Sequence, residues 1–303
     1  MAPILETRSV SKSYRIGLRG EFVHALQDVS MSVGEGQVFA LLGLNGAGKS
    51  TLTKIFLDLV RANSGEVLLF GEPARTSGWK RHVGYLPELF SAPGSMTIRG
   101  VLHYLGQLSG LRGTILNQRV NAELEELSLT DLSERRVSTL SKGNVLRLGI
   151  AQALLHQPRL LFLDEPTEGL DPAGRRMIRN LLIRLAISGV TILLNSHLLS
   201  EVELVAHRLG ILHRGKLVAS GSSSDLLPPH QRFQVEIAVI PPEERAWHHA
   251  KTAGIWTREV EGADDLQHLL SSLKSHAITP LAVKPLQTTL EDVFLEHISD
   301  LNK

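Results

Sequence analysis

Cysteine is absent from all 303 residues, which excludes a disulfide framework and suits, without requiring, a reducing compartment. A surplus of either charge is missing too, since 32 basic and 31 acidic side chains leave a formal net charge of +1. Proteins that grip nucleic acid by its phosphates usually carry a basic stripe or surplus, so no nucleic-acid partner is expected. Long apolar runs are also lacking. The longest, 181–194, is broken by Arg184, Ser188 and Gly189 and falls short of a membrane span. Met1 to Val10 has no apolar core of signal-peptide length. The chain is therefore expected to be soluble by itself and to meet a membrane only through a partner or its surface. What is present is ordinary globular material, 43% hydrophobic, at a length that implies two domains with ample core.

Against that background one stretch organises the chain. Gly43-Leu44-Asn45-Gly46-Ala47-Gly48-Lys49-Ser50 matches the phosphate-loop pattern G-x-x-x-x-G-K-[ST] at every fixed position. It follows the apolar run Val38 to Leu42, read as a buried strand, and opens a helical pattern from Ser50. Glycines let backbone N–H groups converge on an anion at the positive end of a helix. The candidate phosphate contacts are Asn45, Gly46, Ala47, Gly48, Lys49, Ser50 and Thr51. Lys49 is placed to reach the outer phosphates and the Ser50 hydroxyl to hold Mg²⁺. A plain glycine-rich turn between strand and helix is the competing reading.

Along the rest of the chain, strands are expected at 4–14, 25–33, 65–71 and 82–86, with the loop helix running to about Val60. Tyr14 is by position either core or a platform on which adenine stacks. From Thr97 the period turns helical, and the region of about 88–155 reads as a helical insertion, with one helix expected over 145–155. Arg159 to Leu163 is apolar along its length, as in a central strand covered on both faces, and ends in Asp164-Glu165. A further strand ends at Asn195-Ser196-His197. Strand and helix alternate, so a mainly parallel α/β sheet is expected, with chemistry at its carboxyl ends. Short strands at 209–213 and 216–220 precede a serine- and proline-rich boundary.

A phosphate loop alone leaves kinases, GTPases, helicases and transport ATPases open. Asp164 at a strand end suits holding Mg²⁺, and the adjacent Glu165 can polarise an attacking water. With these in place, the chain from Ile4 to about Leu227 resembles the ATP-binding subunits of ATP-binding-cassette (ABC) transporters. Leu140-Ser141-Lys142-Gly143-Asn144 resembles the family signature LSGGQ, and Glu168-Gly169-Leu170-Asp171 its D-loop. His197 stands at its switch histidine and Tyr14 at its adenine-stacking aromatic. Glu88 takes the place of the usual glutamine near the metal and γ-phosphate, Lys142 that of a glycine and Asn144 that of a glutamine. Lys142 is expected to point to solvent.

The resemblance implies a P-loop ATPase core with a mainly parallel sheet, an antiparallel β subdomain and a helical subdomain. It implies ATP and Mg²⁺ as cofactors, with Ser50, Asp164 and Glu88 around the metal and Glu165, His197 and Lys49 catalytic. Two cassettes would sandwich two ATP molecules, each between one chain's phosphate loop and the other's Ser141 and Gly143. A transmembrane permease would be driven from the inner face of the cell membrane, to which the chain would be peripheral. Two soluble alternatives within the family lack support. A DNA-repair type carries a long coiled coil, and a ribosomal type a second phosphate loop; neither is present. A kinase would leave the signature, D-loop and His197 unexplained.

Domains are expected at 1–229, the ATP-binding part, and at 230–303, a small α+β accessory part. In the latter, 233–240 alternates like a strand. Leu266, Leu269, Leu270 and Leu273 make one helical face, and Leu290, Val293, Phe294 and Ile298 another. Thr288 to Leu295 resembles the tail motif of the ABC-2 exporter branch. His248-His249, without a partner motif, is expected at the surface.

Overall fold

The computed structural model describes residues 3–16, 21–226, 232–239, 246–249, 254–286, 290, 291 and 293. The chain divides into two compact units, Met1–Ser223 and Ser224–Lys303. The division falls six residues earlier than 229, where β10 (below) ends and a single helical turn begins.

The first unit contains two sheets. One is antiparallel, in the order β2 (Glu21–Val33), β1 (Leu5–Ile16), β4 (Ser64–Leu69) and β5 (Glu72–Pro73). The other has six strands, in the order β10 (Lys216–Ser222), β9 (Arg208–His213), β3 (Val38–Leu42), β8 (Thr191–Ser196), β7 (Leu160–Asp164) and β6 (Val83–Leu86). All of its pairings are parallel except β9 with β10, which close through Arg214 and Gly215, both at positive φ, as a tight hairpin requires. Every residue of β3, β7 and β8 is buried, which is why their sequences show no polar alternation.

Helix α1 (Lys49–Phe56) follows β3. It stops short of Val60 because Asp58 turns left-handed, at φ 55°, and the N–H groups of Leu59 and Val60 both return to Lys54 O. Phe39 and Leu41 of β3, Phe56 of α1, Phe162 of β7 and Leu193 of β8 share one core with Leu5, Leu26 and Leu69 of the antiparallel sheet. Side chains two apart on a strand share a face, so Asp164 and Asn195 project to the same side of the sheet as Phe162 and Leu193.

The region between β6 and β7 holds α2 (Ile98–Leu108), α3 (Gly113–Glu126) and α4 (Lys142–Leu154). Helix α4 begins three residues before Val145 because the Ser141 hydroxyl accepts from Asn144 N at 3.3 Å and caps it. It packs on β6 closely enough that a Cβ at Gly84 would lie 2.3 Å from Ala153 O. Helices α5 (Pro172–Ile187) and α6 (Leu199–Glu203) complete the unit, α5 capped by Asp171, whose carboxylate accepts from Gly174 N at 2.8 Å. No helix among the described residues is long and apolar enough to cross a membrane.

After α7 (Ser223–Leu226), the described residues of the second unit include a four-stranded antiparallel sheet and the helix α8 (below), and Leu290, Glu291 and Val293 are helical. Its order is β12 (His248–His249), β13 (Trp256–Glu261), β11 (Arg232–Ile237) and β14 (Ala282–Leu286). Helix α8 (Gly262–Ser275) buries Leu269 and Leu273 with Val235, Ile237 and Trp247. His248 and His249 are exposed, and the His249 ring lies 3.7 Å from that of Trp256. No group of three or more potential metal ligands occurs among the described residues. Leu290 and Val293 are buried, while Phe294 and Ile298 lie outside the described residues.

Candidate nucleotide-binding site

Three adjacent parallel strands deliver the site. Leu42 of β3 pairs with Ser196 of β8, and Asp164 of β7 with Asn195, so the three carboxyl ends are level. Chain segments leaving them place the phosphate loop, Asp164-Glu165 and His197 around one cleft of about 640 Å³. Asn45, Gly46, Ala47, Gly48, Lys49, Ser50, Thr51, Glu88, Asp164, Glu165 and His197 all line it.

The loop is braced from behind. Gly48 sits at φ 112°, and a Cβ there would meet Ala25 O of β2 at 2.4 Å, so only glycine fits. Gly215 N donates to Ala47 O at 2.9 Å, and Ala47 N to Leu44 O at 3.0 Å. Lys49, the first residue of α1, is 9% exposed. Its ammonium donates to Gly43 O at 2.6 Å. Burial pulls its pKa down, and the carboxylates of Glu165, Glu88 and Asp164 oppose that pull. A buried cation among three acids, beside a glycine-rich loop at a helix start, is a site for a polyanion with a counter-cation.

Asp164 is held from both sides. Asn195 Nδ2 donates to its Oδ1 at 2.5 Å, and the Tyr85 hydroxyl to its Oδ2 at 3.0 Å. Burial raises the Asp164 pKa, while these two hydrogen bonds stabilise the carboxylate. The Tyr85 phenol is pushed up by burial and by Asp164, so it stays a donor. Glu165 has a left-handed backbone at φ 52°, fixed by its N–H donating to Asn195 O at 2.9 Å. Its Oε1 lies 2.8 Å from His197 Nδ1, and its Oε2 accepts from Ser196 Oγ at 3.3 Å. A carboxylate only accepts, so the neutral ring carries its hydrogen on Nδ1 and keeps Nε2 as an acceptor.

Ser141 and Gly143 lie at the start of α4 and do not line the cleft. Nor does Tyr14, which is half-buried and stands opposite Val23, a residue that does; Lys12 Nζ lies 5.1 Å from its ring centroid. Lys142 is mostly exposed, and its Nζ donates to Glu168 Oε1 at 2.9 Å. Sequence reasoning left out Asn195, Tyr85, Glu168 and the β2 residues His24 and Ala25 as parts of the site. A polar Asn195 ending an otherwise apolar strand was the available signal for the first of these.

Comparison with known proteins agrees with this geometry. A family model described as ABC transporter matches residues 26–168. An uncharacterised ABC transporter ATP-binding protein of Synechocystis sp. is 34% identical over 305 residues, covering 99% of this chain and 86% of that protein. The chain belongs to the ATP-binding proteins of ABC transporters. Nod factor export ATP-binding protein I of Cupriavidus pinatubonensis is 36% identical, covering 75% of this chain and 69% of that protein. Among solved structures, an ATP-binding subunit of an ABC transporter superposes with a TM-score of 0.66 at 29% identity, over 74% of this chain and 91% of that one. As a member of this family the chain has an ABC ATPase domain, and it binds ATP. The oxygen donors at the cleft also suit Mg²⁺, a hard cation. Ser50, Asp164 and Glu88 offer a hydroxyl and two carboxylates, and the buried Oδ1 of Asn195 has no hydrogen-bond partner.

Proposed function

We propose that this chain is the ATP-hydrolysing, energy-coupling subunit of a membrane exporter of the ABC-2 branch, acting as a cassette dimer beneath a transmembrane permease. The observation that carries this reading is the division of the predicted residues. The loop, Glu88, Asp164, Glu165 and His197 share one cleft, whereas Ser141 caps a helix outside it and Gly143 lies in that helix's first turn. A serine-capped helix start offers a hydroxyl and N–H groups to phosphate, and a second chain can bring them to this one's cleft. The export relative and the tail motif from Thr288 to Leu295 favour the exporter branch. The chain would then be peripheral on the inner face of the membrane, with residues 230–303 serving assembly and regulation.

In this mechanism loop N–H groups and Lys49 bind the triphosphate, and Tyr14, beside the cleft at Val23, stacks on the base. Ser50, Asp164 and Glu88 would hold Mg²⁺, which would supply positive charge to offset that of the phosphates. Glu165 orients a water and takes its proton as the water oxygen bonds to the γ-phosphorus and the bond to the ADP oxygen breaks. His197, its ring fixed by Glu165, offers Nε2 to the same water or, when protonated, to a γ-oxygen.

The test is Glu165→Gln, which keeps shape and polarity and removes the base. Turnover should fall by about two to four orders of magnitude, the usual weight of a general base. ATP affinity should stay within about twofold, and an ATP-bound dimer should accumulate on light scattering. Hydrolysis at the parent rate would refute the assignment of Glu165.

A further inference from the structure

Strand β8 ends in a polar residue where an apolar one would pack. Asn195 is 3% exposed and on the same face as Leu193, among the apolar side chains of the main core. Burying an amide there is costly unless its donors are used. Both are used, in two directions. One Nδ2 hydrogen goes to Asp164 Oδ1 at 2.5 Å and the other to Thr53 Oγ1 at 2.7 Å. Thr53 is itself fully buried and lies one helical turn after Ser50 on α1. Because Asp164 can only accept, the branch facing it must be the nitrogen, which leaves Oδ1 as the buried oxygen without a partner.

We propose that Asn195 is a positioning residue for the cation site: its amide ties the Asp164 carboxylate to α1 and thereby fixes Asp164 relative to Ser50. Tyr85 completes the restraint from the other carboxylate oxygen at 3.0 Å. Oδ1 is buried and has no protein partner, so the restraint is carried by the two donors of Nδ2. An amide supplies both donors at this place. Serine supplies one donor, and leucine none.

This inference rests on the proposed ATPase reading, so the experiment separates the two. ATP binding is measured by calorimetry in EDTA, and Mn²⁺ binding by electron paramagnetic resonance of the AMP-PNP complex. Both are applied to the parent, Asn195→Leu, Asn195→Ser and Tyr85→Phe. Partners that orient metal ligands typically carry about 10–100-fold in metal affinity, and Asn195→Leu should lose that much Mn²⁺ affinity. Asn195→Ser and Tyr85→Phe should each lose less. Metal-free ATP binding should stay within about twofold in all of them, since Lys49 and the loop are untouched. In turnover, the Mg²⁺ concentration for half-maximal rate should rise more than kcat falls. Unchanged Mn²⁺ affinity in folded variants overturns the proposal, and so does an equal loss of metal-free ATP binding. If Asn195→Leu does not fold, Asn195→Ser and Tyr85→Phe decide by the same criteria. A parent protein that binds no ATP overturns the ATPase reading instead.

Discussion

The two ends of the six-stranded sheet both bury charge, and they do so differently. At the carboxyl end, Asp164 and Glu165 are each met by two or more protein donors, and Lys49 lies among them. At the opposite end a second cavity, of about 590 Å³, lies where β7 and β8 begin, beside α3 and α5. There Glu123, 5% exposed, is met by Arg119 alone, at 2.5 Å. Arg119 also donates to Leu154 O and Leu155 O, closing the carbonyl end of α4. Burial outweighs that single partner and raises the Glu123 pKa to about 7, with Glu126 adding to the rise. Burial raises the Asp164 pKa as well, but there two side-chain hydrogen bonds, from Asn195 and Tyr85, oppose the rise where Glu123 has one arginine. The first arrangement suits chemistry; the second holds a helix end.

The largest expected effect tests the functional end. Lys49→Ala removes a buried cation from among three carboxylates and should cut ATP affinity by about 100-fold or more, roughly 3 kcal/mol, measured by calorimetry. The carboxylates it leaves behind repel the phosphates as well, so a loss below tenfold would mean that the loop N–H groups carry the binding alone.

The middle effect tests the other end through pH. The folded-state pKa of Glu123 is raised, so its contribution is fully present below pH 4.5 and is lost as pH rises through about 7. The parent should therefore lose about 1–3 kcal/mol of unfolding free energy between those limits on account of this group. In Glu123→Gln that component disappears, so the variant should gain on the parent at pH 8 relative to pH 5 in urea denaturation. Parallel pH profiles for the two proteins would put Glu123 at an ordinary pKa.

The smallest effect lies at the surface between the signature helix and the cleft. The Lys142–Glu168 pair is largely solvated, with side chains 69% and 42% exposed. Lys142→Ala should change stability by less than about 1 kcal/mol, and less again at high salt. Lys142→Gly should likewise leave ATP-dependent dimerisation nearly unchanged on light scattering, and a large loss would mean that the lysine reaches the partner's phosphate.

Local features of the site were legible in the sequence because each motif carries its own context. The loop has a strand before it and a helix after it, Asp164 ends an apolar run, and His197 follows another. Asn195 and Tyr85 were not legible as partners of Asp164. Their meeting depends on strands 79 and 31 residues away arriving in one register, which periodicity does not report. Glu123 looked like any acid on a helix, since its burial comes from the packing around the helix and not from the helix's own sequence. The early end of α1 turned on one left-handed aspartate, a conformation that local composition does not mark.

The ladder that levels the three strand ends can also be treated as a reading frame. Deleting one residue from within β8, upstream of Asn195, would offer the backbone two ways to absorb the loss. Sliding the strand preserves its hydrogen bonds but sends Asn195 to the opposite face and sets Ser196 against Asp164. Holding the end in place preserves Asn195 and strains the loop after α5 instead. The catalytic end tolerates only the second. Length changes should therefore accumulate at 188–190, where β8 is entered, while the five-residue run of Ile192 to Ser196 keeps its count.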